Sequence, residues 1–252
     1  MRYPEIDLLK GIAVILMVFF HYFYVAYLME QPIVDINSTA INSMASIAHN
    51  IFIFMVGVNL IVSYKSHQKK EKSEDEYIGR QFRRALMLLM IGMFITLTTY
   101  FIFPDKFVRF GIFHFISLAI MMSLLFVNNI YCTGLGIVLF SLLNYIIQNH
   151  KDLFYSICEN NKLSCFIMGI YNYYGSIDHF SFIPFFLIIL YGIGAGQIIY
   201  GKGQRNFDFS LLDKTYQQSK ALQSLGYIGK QSLNIYLVHF IIIYYILSRN
   251  QN

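Results

Sequence analysis

Seven apolar runs dominate this chain. Each reaches or approaches the ~20 residues that a helix needs to cross a hydrocarbon core. They cover Ile6–Leu28, Met44–Tyr64, Arg84–Phe103, Phe110–Val127, Ile130–Ile147, Phe182–Tyr200 and Leu225–Leu247. Lipid offers no partner to a peptide group, so each run must satisfy its own backbone as a helix. The expected fold is therefore all-α: a polytopic transmembrane helix bundle with residues 1–252 as a single domain. Only 13% of the residues are charged, against about a quarter in soluble domains. The expected location is the cell membrane, multi-pass, with the lipid bilayer as first partner.

The net charge of +5 reads as a topology signal and not as a nucleic-acid surface. With seven spans, 14 of the 19 Lys and Arg fall on one side, among them Arg2, Lys10 and the loop "YKSHQKKEKSEDEYIGRQFRR"; five fall on the other. This places the amino terminus in the cytoplasm and the carboxyl terminus outside. No small-residue cleavage site follows the first run, which reads as a retained signal anchor. The segment 148–181 contains "LSCFIMGIYNYY", too short to span and expected to be interfacial or re-entrant. Cys158 and Cys165 flank "ENNKLS" and are either free thiols or a disulfide, the latter requiring an oxidising side. Cys132, in an apolar run, reads as packing.

The first run, "IDLLKGIAVILMVFFHYFY", carries Asp7, Lys10 and His21. Lys10 and His21 are 11 positions apart, which is about three turns, so they share a helix face roughly 16 Å apart along the axis. Asp7 is nearly on that face. Snorkelling for Lys10, a helix cap for Asp7 and a structural hydrogen-bonded role for His21 are the bland alternatives. Intramembrane ionisable groups, however, usually mark a pathway or a site. A cation at the cytoplasmic end can hold phosphates, and a histidine three turns deeper can serve as general base. A long donor with a phosphorylated head and a reactive tail fits that spacing, and acyl-coenzyme A has this shape.

The same residues carry a resemblance. "IDLLKGIAVILMVFFHYF" is similar to the first helix of membrane acyltransferases, I/L-D-x-L/F-R-G-x-A followed by an apolar stretch and His. Ten residues separate Lys10 from His21, as they separate Arg from His in that pattern. The closer resemblance is to the catalytic domain of the heparan-α-glucosaminide N-acetyltransferase family and its small prokaryotic members. "RFGIFHFISLA" resembles R-F-G-I-L-H-x-I-G-L. "SIDHFSFIPFF" resembles D-Y-F-P-L-L-P-W, and "IGKQSLNIYLVHF" resembles G-R-x-S-L-x-I-Y-L-x-H. The resemblance implies acyl transfer, most simply of acetyl, from cytoplasmic acetyl-CoA or another acyl-CoA to a hydroxyl or amine of a carbohydrate or glycoconjugate acceptor outside. It implies no metal. By position, His21, His114, Asp178 and His239 are the candidate catalytic residues. Lys10 stands in place of the usual Arg, which exchanges a bidentate fork for a point charge. Ser181 stands where the aspartate block has its first proline.

Arg80, Arg83 and Arg84 are further candidates for the donor's phosphates, although positive-inside bias explains them equally well. By depth alone, His114, Asp178 and His239 cluster with His21; four unrelated interfacial groups is the competing reading. His49 reads as structural, and His67, His150 and His179 as solvated loop residues. Gly192 and Gly196 form a GxxxG close-packing face. A transporter or proton path and a non-catalytic scaffold are the alternative functions, and homodimer formation is left open.

Overall fold

The computed structural model describes residues 3–172 and 174–249. Arg2, which entered the charge bias, lies outside them, as does Tyr173 of the "LSCFIMGIYNYY" segment. The helices in chain order are α1 Pro4–Leu28, α2 Thr39–Gln68, α3 Glu74–Ile102, α4 Ile112–Ser123, α5 Ile130–Asn149, α6 Tyr155–Asn160, α7 Lys162–Met168, α8 Phe182–Tyr200, α9 Ser210–Gln218, α10 Lys220–Lys230 and α11 Ser232–Arg249. A short 3₁₀ turn, Lys151–Phe154, precedes α6. No strand occurs among the described residues. The fold is a polytopic transmembrane helix bundle, as expected: α1, α2, α3, α5, α8 and α11 are long and apolar enough to cross a membrane.

Two expected spans differ in form. The fourth, Phe110–Val127, is a helix of only 12 residues, α4, followed by turns. It still travels the length of α3. At its start Thr96 Oγ1 donates to Val108 O at 2.7 Å, and midway Ser117 Oγ donates to Ala85 O at 2.7 Å. At its far end the Tyr64 hydroxyl lies 2.9 Å from Asn128 Oδ1 and 3.1 Å from Glu74 Oε1. Thr96 to Glu74 along α3 is roughly 33 Å, about one hydrocarbon thickness. Helix and turn together run beside α3 over about that distance, although α4 itself is shorter than the six helices long enough to cross a membrane. The seventh run, Leu225–Leu247, is broken at Gln231 into α10 and α11.

The chain divides into two compact units, Met1–Met55 with Phe207–Asn252, and Val56–Asn206. In the first, α10 packs on the early turns of α1 and α11 on its later turns. In the second, α3, α4, α5 and α8 pack with the latter part of α2. Its core follows helical periodicity: on α3 the buried residues are Tyr77, Gln81, Ala85, Leu88 and Gly92. Met90, Met93, Phe94, Leu97 and Phe101 form the exposed apolar stripe, which suits lipid. The GxxxG face closes on α2 as expected: a Cβ on Gly196 would meet Ile61 Cβ at 3.0 Å, and one on Gly57 would meet Ile189 O at 2.3 Å.

α3 begins earlier than expected because Ser73 caps it, its hydroxyl accepting from Glu76 N. Arg80, Arg83 and Arg84 thus sit on helix and not in a loop. Two histidines read as solvated are not. His67 is buried, with Nε2 2.7 Å from Ser73 O of the turn before α3, and His179 is half-buried under the stacked ring of Phe166 from α7. His150 is exposed, and so is Cys132 on α5. Cys158 and Cys165 form a disulfide joining α6 to α7.

Candidate functional site

The sequence-derived candidates fall as two groups, one in each unit. In the first unit α1 and α11 run parallel. Val25 and Ala26 pack on Ile243 and Leu247, flanked by Val18, Tyr22, Met29 and Phe240. One turn earlier on both helices, that seam brings His21 to His239. Their ring centroids are 4.8 Å apart and the planes cross at 65°. His21 Nδ1 lies 2.9 Å from Met17 O. His239 Nδ1 lies 2.7 Å from Tyr236 O and 3.2 Å from Ile235 O. A carbonyl only accepts, so each Nδ1 carries the hydrogen and each Nε2 carries a lone pair. His239 Nε2 is buried with no hydrogen-bond partner among the described residues. A buried polar atom left unpaired costs stability and calls for an explanation. Tyr236 stacks edge-on against His239, and Phe240 against His21.

At the other end of α1, Asp7 does not cap the helix. Pro4 opens it and no side chain closes the cap. Asp7 Oδ2 instead lies 4.0 Å from Lys230 Nζ, at the end of α10. Two glycines allow this approach. A Cβ on Gly229 would sit 1.8 Å from Asp7 O, and one on Gly11 would sit 2.3 Å from Leu225 O. The blocks "IDLLKG" and "IGKQSL" therefore meet backbone to backbone. Lys10 is half-buried on the same turn of α1. Lys230 was not among the sequence candidates, although it occupies the position of the pattern's Arg in its block.

In the second unit the arginine block and the aspartate block pair as extended chain. Ile177 N donates to Lys106 O at 2.8 Å, Phe180 N donates to Phe110 O at 3.0 Å, and Phe110 and His179 form a parallel bridge. Ser176 Oγ ties the two together, 2.7 Å from Asp178 O and 3.2 Å from Phe107 O. This registers Asp178 over Gly111, where Oδ2 accepts from Ile112 N at 3.2 Å and serves as the cap that Gly111 cannot supply. Burial pushes the Asp178 carboxyl up to about 6, against the opposing pull of the Ile112 N–H. Arg109 donates to Gly175 O and lies over the Phe107 ring.

One turn into α4, His114 lies against Gly92 of α3, where a Cβ would come within 3.0 Å of the ring. Its Nε2 is 3.4 Å from Thr96 Oγ1, whose own hydrogen goes to Val108 O. Nε2–H is therefore the donor, and Nδ1, buried and unpaired among the described residues, keeps the lone pair. Of the three arginines, Arg80 donates to Ser63 Oγ at 3.3 Å and lies over the Tyr77 ring; Arg83 and Arg84 are exposed. No group of three or more acidic, His or Cys side chains fit to hold a metal occurs among the described residues.

The family described as heparan-alpha-glucosaminide N-acetyltransferase, catalytic, matches residues 2–241. The chain belongs to this family. The match spans both units and all four sequence blocks. No curated protein and no solved structure matches the chain. The family is one of membrane acetyltransferases.

Proposed function

We propose that the protein is an integral membrane acyltransferase that takes an acetyl group from cytoplasmic acetyl-CoA and passes it to a hydroxyl or amine of a sugar-like acceptor on the outer side. The chain acts as one transferase domain in the cell membrane. The observation that carries this reading is the His21–His239 pair, with both Nδ1–H groups spent on backbone carbonyls and both Nε2 atoms left as bases.

In this reading His21 Nε2 takes the proton from the acceptor's hydroxyl or amine as that atom attacks the thioester carbonyl. The tetrahedral intermediate collapses, the C–S bond breaks, and the departing thiolate takes the proton back from His21. The products are the acetylated acceptor and free CoA thiol, and the imidazole is restored. His239 packs edge-on against His21 and sets the angle of its ring. Lys10 meets the donor's phosphates as a point charge. Arg80, Arg83 and Arg84 offer phosphate contacts from the early turns of α3. His114, seated by Asp178 at the start of α4, is the second unit's own candidate base. The disulfide supports an outer, oxidising location for the α5–α8 connection, and the course of α4 and its following turn along α3 supports a seventh passage, which would put the two termini on opposite sides.

Incubation of the purified protein with radiolabelled acetyl-CoA and a cell-envelope extract tests the reading. Label moving into a carbohydrate-containing product supports it. No transfer above that of a protein-free control contradicts it.

A further inference from the structure

We infer that the disulfide-tied α6–α7 hairpin is a positioning device: it holds Asp178 over the start of α4 through Phe166 and His179. The inference rests on the transferase reading only for its effect on turnover.

The chain of contacts is continuous. Cys158 and Cys165 are buried along with the bond they share. The next residue, Phe166, is fully buried, so the disulfide fixes the turn that aims its ring. Phe166 stacks on His179 at 3.9 Å between centroids, with an interplanar angle of 28°, and meets Tyr174 edge-on at 5.4 Å. α7 ends at Gly169 with φ of 84°, and a Cβ there would lie 2.5 Å from Ser181 Cβ. His179 Nε2 in turn lies 3.0 Å from Ser181 Oγ.

Asp178 is held between these contacts. One side of its backbone is fixed by Ser176 and the Lys106–Phe110 pairing, the other by the His179 ring under Phe166. Its own side chain makes the bond that seats Ile112, two residues before His114. His179 and Ser181 also stand where the family's aspartate block reads Tyr and Pro. A proline stiffens the entry to α8 by fixing φ. Here a hydrogen bond between the two substituted residues and a ring stacked from the hairpin supply the restraint. Asp178 is on this view a positioning residue, acting on the reaction through the start of α4.

The test is amide hydrogen exchange on the full-length protein in lipid nanodiscs. Wild type is compared with the Cys158→Ser/Cys165→Ser double variant and with Phe166→Leu, which keeps the disulfide and removes only the ring. We expect the amides of Ile112, Ile177 and Phe180 to exchange about tenfold faster or more in both variants, as a local opening, while α8 from Ile189 onward is unchanged. His179→Tyr, which keeps a ring for Phe166 but gives up the bond to Ser181, should lose less protection than Phe166→Leu. In the transfer assay kcat should fall by about tenfold with the KM for acetyl-CoA unaltered. Faster exchange confined to 155–169, with Ile112, Ile177 and Phe180 still protected, would overturn the inference. Because exchange is read without any substrate, a wild type that transfers no acetyl group would contradict the proposed function while this test still stands.

Discussion

The rings of His21 and His239 stand 4.8 Å apart across the α1–α11 seam, each with its Nδ1 turned back onto a carbonyl of its own helix. Neither imidazole can release that hydrogen bond without a new partner, so both present the same nitrogen as a base. Residues that act as a unit lose activity non-additively. We expect His239→Ala to lower kcat by about 10–100-fold, less than a directly acting base loses. The His21→Ala/His239→Ala double variant should be little worse than His21→Ala alone. Fully additive losses in a double-mutant cycle would mean that the two rings work independently.

Lys10 has a different signature. On the proposed function Lys10→Ala removes a phosphate contact made in ground and transition states alike, so the KM for acetyl-CoA should rise by about tenfold or more while kcat holds. Lys10→Arg restores the family residue and should match or improve on wild type. Steady-state kinetics over a range of donor concentrations separates the two parameters.

Gly229 and Gly79 make a matched pair for stability. A methyl at position 229 would sit 1.8 Å from the Asp7 carbonyl oxygen, while one at 79 meets nothing within 4 Å. Gly229→Ala should therefore cost about 3 kcal/mol or more through forced separation of α1 and α10. Gly79→Ala, in an exposed helical turn, should gain up to about 1 kcal/mol. Thermal unfolding in one detergent compares them directly.

Asp178 should leave a pH signature. Burial raises its carboxyl in the folded protein to about 6, above its ordinary value. A raised acid binds its proton more tightly folded than unfolded. Its contribution to stability is thus complete below the ordinary carboxylate range and is lost as pH climbs through about 6. The apparent melting temperature of wild type should fall over that window, and Asp178→Asn should flatten the slope. An unchanged slope in the variant would assign the titration elsewhere.

Much of this architecture is legible from residue order alone. The run Phe182–Tyr200 is apolar but for Gln197 and becomes α8 with the same ends. His21 stands out for the opposite reason, a titratable ring with no charged neighbour in sequence. What stays hidden depends on distant partners. Nothing near Asp7 announces Lys230, and composition alone does not separate α10 from α11, since Gln231 is only weakly polar punctuation. The stopping of α4 at Ser123 depends on side chains such as Gln197, whose Nε2 donates to Phe126 O at 2.9 Å and satisfies the turn that follows. The burial of His67 likewise follows from the Ser73 cap folding back, a local geometry that loop-like composition conceals.

Turnover by purified His21→Ala in lipid nanodiscs, with labelled acetyl-CoA and acceptor both saturating, tests the proposal that His21 is the base of an acetyl transfer. We expect kcat to fall by about 10²–10⁴, the range for loss of a general base, with donor affinity unchanged and the folded protein eluting and melting as wild type does. Full turnover in that folded variant would contradict the assignment and pass the role of base to His114.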